Sequence, residues 1–190
     1  MFAIARFITS TNRFIGKVLA WLIIPLFAFL FADVVMRYFV GSPAIWTSEL
    51  ATLMFGGYAI LAGGYLMAER GHVNVDIIYG RFSRRRKAMV DVATSFLFFL
   101  FMIVLLWQGW SLAADSIERW ERTMSAWKGP VWPVKAAIPV AAALLLAQGI
   151  VRVWADVRVL LGLPVPEDVF GKQPDEEMIR DKAARGEIQE

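Results

Sequence analysis

Uncharged apolar stretches divide the chain into four. Residues 18–32 lie between Lys17 and Asp33, 50–68 between Glu49 and Glu69, 92–114 between Asp91 and Asp115, and 136–151 between Lys135 and Arg152. A helix needs about 20 mostly apolar residues to cross the hydrocarbon core of a bilayer. The second and third stretches reach that length outright. The first and fourth reach it by taking in charges near their ends, Asp33 and Arg37 in one and Lys135 and Arg152 in the other, which can snorkel toward headgroups. The pattern predicts an all-α integral membrane protein with transmembrane helices at about 18–39, 46–68, 89–111 and 134–155.

Outside these spans the periodicity changes. Ile4, Phe7, Ile8, Thr11, Phe14, Ile15 and Val18 recur at helical spacing, with Arg6, Ser10, Asn12, Arg13 and Lys17 elsewhere around the wheel. This predicts a separate amphipathic helix over 1–17 lying on the cytoplasmic surface, the alternative being a plain extension of the first span. Because no small-x-small cleavage site follows Phe31 and Ala32, the first apolar segment is expected to be retained. Residues 18–160 form the membrane domain, and 161–190 turn polar, which predicts a mobile cytoplasmic tail. Gly56, Gly57, Gly63 and Gly64 in the second span, and six alanines from Ala136 to Ala147 in the fourth, mark packing faces where backbones approach closely. The third span, with Phe96-Leu97-Phe98-Phe99-Leu100-Phe101, is bulky all round and is the most lipid-facing candidate.

Charge then orients the four spans. Fifteen of the 20 Lys and Arg residues fall on one side, in the N-terminal segment, the loop between the second and third spans, and the tail. The five on the other side are Arg37, Arg119, Arg122, Lys128 and Lys135. Positive residues in short loops stay cytoplasmic, so both termini are expected there. Trp46, Trp107, Trp110, Trp120, Trp127 and Trp132 gather at the opposite face as an aromatic belt, with Trp21 and Trp154 at the cytoplasmic one. The net charge of +3 follows from this topology and suits anionic lipid headgroups; no nucleic-acid role is expected.

The composition, 58% hydrophobic with no cysteine and a single histidine, restricts the chemistry. Disulfides, thiolate nucleophiles and Cys-based metal sites are ruled out, and His72 alone cannot supply bis-histidyl haem ligation or a zinc-protease motif. No metal site, cofactor or enzymatic activity is expected. The run Glu69-Arg70-Gly71-His72-Val73-Asn74-Val75-Asp76 combines acids and imidazole, but metal centres need three or four convergent ligands, so His72 is read as a loop or interface residue holding a helix end. All charged residues of the spans sit near their ends. Asp33 and Arg37 are spaced for an i,i+4 ion pair, and Glu49 is placed to meet Lys135 across the bundle. Without a mid-span site, broken helices or inverted repeats, the chain reads as an accessory subunit.

Three segments carry a family resemblance: Arg37-Tyr38-Phe39 followed by Pro43, Trp46 and Glu49; Gly71-His72-Val73-Asn74-Val75-Asp76 with Arg81; and Pro130-Val131-Trp132-Pro133-Val134-Lys135. In order and spacing, over roughly residues 15–160, the chain resembles the small membrane subunit of tripartite ATP-independent periplasmic (TRAP) transporters, the DctQ-like small permease. The resemblance implies a complex in a bacterial inner membrane. There a large membrane subunit holds the substrate and sodium sites, and a periplasmic substrate-binding protein delivers an organic anion, often a carboxylate. The small subunit would anchor the large one. On this resemblance Arg37, Trp46, Glu49, His72, Asp76, Trp132 and Lys135 are candidate subunit-interface or structural residues.

The loop from Ser111 to Pro133 is longer and more charged than a connector needs. Glu118, Arg119, Glu121 and Arg122 are candidates for docking the binding protein, the plainer reading being an interfacial anchor. Two other classes stay open at this point, a standalone four-helix scaffold and a small quinone- or haem-associated membrane protein.

Overall fold

The computed structural model describes residues 2–42, 44–69 and 84–165. Four helices account for nearly all of them: α1 (Phe2–Val35), α2 (Ile45–Ala68), α3 (Arg84–Glu118) and α4 (Trp132–Leu160). Each is long and apolar enough to cross a membrane. A π-turn, Met36–Val40, ends the first, and Gly41 closes it in the left-handed region at φ 69°, with its N–H donated to Met36 O. Because Gly carries no Cβ, it accepts this conformation without strain.

The helices alternate in direction, so the bundle has a near end, with the start of α1 and the end of α4, and a far end, with the π-turn and the loop between α3 and α4. Three helices interlock, with α4 touching α1, α2 and α3, whereas α3 packs mainly on α4. This peripheral position leaves Phe96, Leu97, Leu100, Phe101, Ile103, Val104, Trp107 and Trp110 exposed, as the bulky third span predicts.

The interior is small and polar while the exterior is large and apolar. Buried positions include Ala5, Ala51, Ala68, Ala88, Ala113, Ala141, Ala142 and Ala155, together with Thr9, Asn12, Thr47, Ser116 and Gln148. Lipid tails are as apolar as leucine, so burying leucine between membrane helices gains little. Close backbone approach and interhelical hydrogen bonds take over. The predicted packing glycines mostly serve this purpose: Gly63 faces Leu145, Gly64 faces Asn12 and Leu144, and Gly56 faces Val134, while Gly57 faces open space.

The N-terminal segment differs from its sequence reading. The helix runs unbroken from Phe2 through Val35, with no boundary at 17 and Pro25 carried inside it. At 1.5 Å per residue its 34 residues make a rod of about 51 Å, longer than a ~30 Å hydrocarbon core. Its first turns do not peel away. Ala5, Thr9, Asn12, Gly16 and Leu19, a stripe of mainly small and polar residues, are buried, and the apolar stripe of Ile4, Phe7, Phe14 and Val18 points outward. The amphipathic pattern is real, but its polar edge binds the bundle. His72, Asp76 and the tail from residue 166 lie outside the described residues.

Candidate functional site

Charged and hydrogen-bonding side chains collect in three layers. At the near end Arg13 pairs with Glu69 at 2.6 Å, joining α1 to α2, and Arg152 approaches Asp91 at 3.5 Å, joining α4 to α3. Arg158 lies over the rings of Phe2 and Trp154, which meet edge-to-face at 5.1 Å. At the near end these contacts fasten the start of α1 to the end of α4 and tie α1 to α2 and α3 to α4.

Slightly deeper is a neutral joint. Asn12 Nδ2 donates to Gln148 Oε1 at 3.1 Å, and Gln148 Nε2 donates to Thr9 Oγ1 at 3.3 Å. All three residues are at most 3% exposed. Asn12 Oδ1, which accepts no hydrogen bond among the described residues, abuts Gly64 of α2. One asparagine thus meets three helices. The sequence reading missed this joint, although a signal existed: Gln148 is the one amide in the fourth apolar stretch, and Thr9 and Asn12 lie on the small-residue side of α1.

The far end carries most of the predicted site residues. Asp33 accepts from Arg37 Nη2 and from Thr47 Oγ1, both at 3.0 Å, so the expected i,i+4 pair is present and is extended to α2. Trp46 packs edge-to-face on Phe29, and Trp132 on Trp120, at 6.0 and 5.7 Å. These two tryptophans serve different joints, one between α1 and α2 and one between α4 and the preceding loop.

Glu49 and Lys135 do not pair with each other as expected. Lys135 Nζ instead donates to both carboxylate oxygens of Glu121, at 2.7 and 2.6 Å, and Glu49 Oε2 accepts from Ser125 Oγ. Both partners lie in the loop between α3 and α4. Sequence spacing could place Glu49 and Lys135 at one end, but it could not foresee that this loop folds back and satisfies each of them separately.

That loop is a small hairpin. Thr123 N–H donates to Gly129 O at 2.9 Å and Val131 N–H to Glu121 O at 3.0 Å, with an antiparallel bridge between Arg122 and Pro130. Trp120 and Lys128 take left-handed φ values of 47° and 55° to turn the chain. Glu121, Thr123, Ser125, Trp127 and Gly129 are half-buried or buried, and Arg122, Met124, Ala126, Lys128 and Pro130 are exposed, the period-2 alternation of extended chain. Gly129 is required by space, because a Cβ there would meet the Trp127 ring and come within 3.3 Å of Glu49 Oε1.

The hairpin divides the residues predicted to dock a partner. Glu121 is turned inward to Lys135. Arg119 is engaged with Asp115 in an exposed i,i+4 pair at 2.6 Å, while Glu118 and Arg122 stay on the surface.

Lys135, and then the Ser116 hydroxyl, hold the Glu121 carboxyl below its ordinary pKa. A depressed carboxylate contributes stability above its unfolded pKa and loses it as pH falls through the folded one. The hairpin should therefore stay fastened across neutral and mildly acidic pH and loosen only below the usual carboxylate range. Amide exchange at Thr123 and Val131, corrected for intrinsic pH dependence, is expected to rise in that acid window. In Glu121→Gln it should be raised at all pH values; coincident profiles for the two proteins would contradict the fastening role.

The four apolar stretches, 18–32, 50–68, 92–114 and 136–151, carry no charged side chain. Among the described residues no three His, Cys, Asp or Glu side chains converge. Residues 26–159 match the family described as tripartite ATP-independent periplasmic transporters, DctQ component. The match begins inside α1 and ends beside the last residue of α4, so it takes in Gln148 but not Thr9 or Asn12. No curated protein matches the chain.

Proposed function

Because the chain belongs to the DctQ component family of tripartite ATP-independent periplasmic transporters, the small membrane subunit of such systems, we propose that it is the fixed scaffold of one. In this reading it packs against a large membrane subunit, which carries the solute and sodium sites, and so supports binding-protein-dependent uptake of an organic anion such as a carboxylate. The observation that carries the reading is the distribution of polar groups. The buried amides and hydroxyl of Thr9, Asn12 and Gln148 are joined to one another across helices, and no charged residue interrupts the middle of the four apolar stretches, where a charged solute or ion would have to be held. What such a bundle offers its surroundings is a broad apolar exterior, suited to lipid and to another membrane protein.

The decisive experiment is purification of the tagged chain from native membranes in mild detergent. Recovery of a large polytopic protein in about equal amount is expected. Recovery of the chain alone, under detergents that keep other membrane complexes intact, would instead favour a self-contained scaffold.

The excess of Lys and Arg near both termini supports an orientation with the near end cytoplasmic and the far end periplasmic. The chain has no cysteine, so single introduced thiols report without background. An impermeant maleimide is expected to label Ser42→Cys and Lys128→Cys in intact spheroplasts and Leu163→Cys only after permeabilisation. The reverse pattern would invert the bundle.

A further inference from the structure

We propose that the outer edge of the hairpin over residues 120–131 is a preformed docking element for an acidic, apolar-notched surface on the transporter's own soluble binding protein. This rests on the scaffold reading and on a periplasmic far end.

The first argument is preorganisation. A loop of this length would ordinarily lose much conformational freedom when a partner captures it. Here the ordering exists beforehand: cross-strand hydrogen bonds close the hairpin, Glu49 holds its middle through Ser125, and Lys135 holds its base through Glu121. Every fastening side chain belongs to the inward set of the alternation; the outward residues contribute backbone to the bridge and the turn, and their side chains are left free apart from a long 3.4 Å contact between Arg122 Nη1 and Lys128 O.

The second argument is the chemistry of the outward set. Arg122 and Lys128 are its two charged members, both cationic, and neither has a carboxylate partner among the described ion pairs. Between them Met124 projects fully exposed at the apex, the most exposed large apolar residue described. A methionine is flexible and polarisable and adapts to a shallow notch. Cations flanking an apolar knob match an acidic rim around an apolar hollow. The charges would speed encounter, and the knob would slow departure.

The third argument separates this surface from a lipid anchor. From Glu121 to Pro130 the exposed positions are Arg, Met, Ala, Lys and Pro, and Trp127 is tucked inward against Gly129; the exposed aromatic of the segment, Trp120, sits at its base against Trp132, so a bilayer contact would engage the base and leave the outer edge free. The helix-end charges are less suited to docking, because Arg119 and Asp115 neutralise each other.

The test uses the full chain co-purified with its large subunit and placed in phosphatidylcholine nanodiscs, with the transporter's binding protein titrated over it. Met124→Ser combined with Lys128→Asn is the first variant; asparagine tolerates the left-handed φ at that position, so the hairpin is retained. Arg122→Gln is the second. Each is expected to raise the half-saturating concentration of binding protein by on the order of tenfold and to flatten its dependence on salt, with the large subunit still co-purifying. Unchanged half-saturation in both variants would overturn the proposal, as would a loss confined to adsorption on phosphatidylglycerol vesicles without binding protein, which would make the hairpin a lipid contact. Failure of the wild-type chain to retain the large subunit would instead overturn the scaffold reading beneath it, and inverted labelling of Lys128→Cys would remove the surface from the periplasm.

Discussion

Substituting Gly16 with alanine is expected to push α1 off α2 and destabilise the bundle, although the same change in an isolated helix would stabilise it. A Cβ at Gly16 would lie 2.8 Å from Tyr65 Cβ, an atom fixed to the α2 backbone that cannot swing aside, and it would also overlap the tyrosine ring. The helix-propensity gain from Gly to Ala is about 1 kcal/mol. Overpacking a close contact costs about 1–3 kcal/mol, and here both groups are anchored at the main chain, so the packing loss prevails. Gly16→Leu should be worse, by more than about 3 kcal/mol, and should abolish recovery of the folded chain.

Two companion measurements make this specific. Gly57 has nothing within 4 Å of a built Cβ, so Gly57→Ala is expected to leave stability unchanged or raise it by up to about 1 kcal/mol. Tyr65→Ala removes the ring and should relieve much of the Gly16→Ala loss in the double variant. Denaturation by SDS titration of the purified chain reads all four. Equal behaviour of Gly16→Ala and Gly57→Ala would show that the α1–α2 approach is looser than described.

The second large effect is expected at Gln148. Gln148→Leu removes the acceptor of Asn12 Nδ2 and the donor to Thr9, leaving two buried polar groups without those partners at the junction of α1 and α4. Each orphaned buried group costs about 1–3 kcal/mol, whereas the net worth of an intact interhelical hydrogen bond in a membrane averages only about 0.6 kcal/mol. A loss of about 2–4 kcal/mol is expected, and it should fall on the docking of the N-terminal turns of α1, exposing the stretch before Leu19 to protease. The asymmetry predicts the outcome of the compensated variant. Replacing Thr9, Asn12 and Gln148 together with apolar residues of similar size should cost markedly less than Gln148→Leu alone. If the triple variant were the least stable, the joint would be a net source of stability and not chiefly a device for specifying register.

These two sites explain which parts of the fold were legible in the sequence. The four spans, their order and the exposed third helix follow from where charges interrupt apolar residues, because a bilayer imposes one length and one polarity on anything crossing it. The Asp33–Arg37 pair was equally legible, being local to one helix face. The role of residues 2–17 was not. In water an apolar stripe is the buried one, and the same stripe in lipid is the exposed one, so Ile4, Phe7 and Phe14 marked the outside of the bundle while Ala5, Thr9, Asn12 and Gly16 marked its inside.

Family membership also belongs with what the sequence determined, since the match over residues 26–159 requires no knowledge of contacts. Tertiary structure alone decided the partners of Glu49, Glu121 and Lys135. Any of several charges gathered at one end can satisfy a given carboxylate, and only the path of the hairpin, set by hydrogen bonds between residues 121–131 and by two left-handed turns, selects Ser125 for one and Lys135 for the other. Solvent polarity acts along the chain and is written in its residue pattern. The pairing of charges across helices depends on where a loop comes to rest.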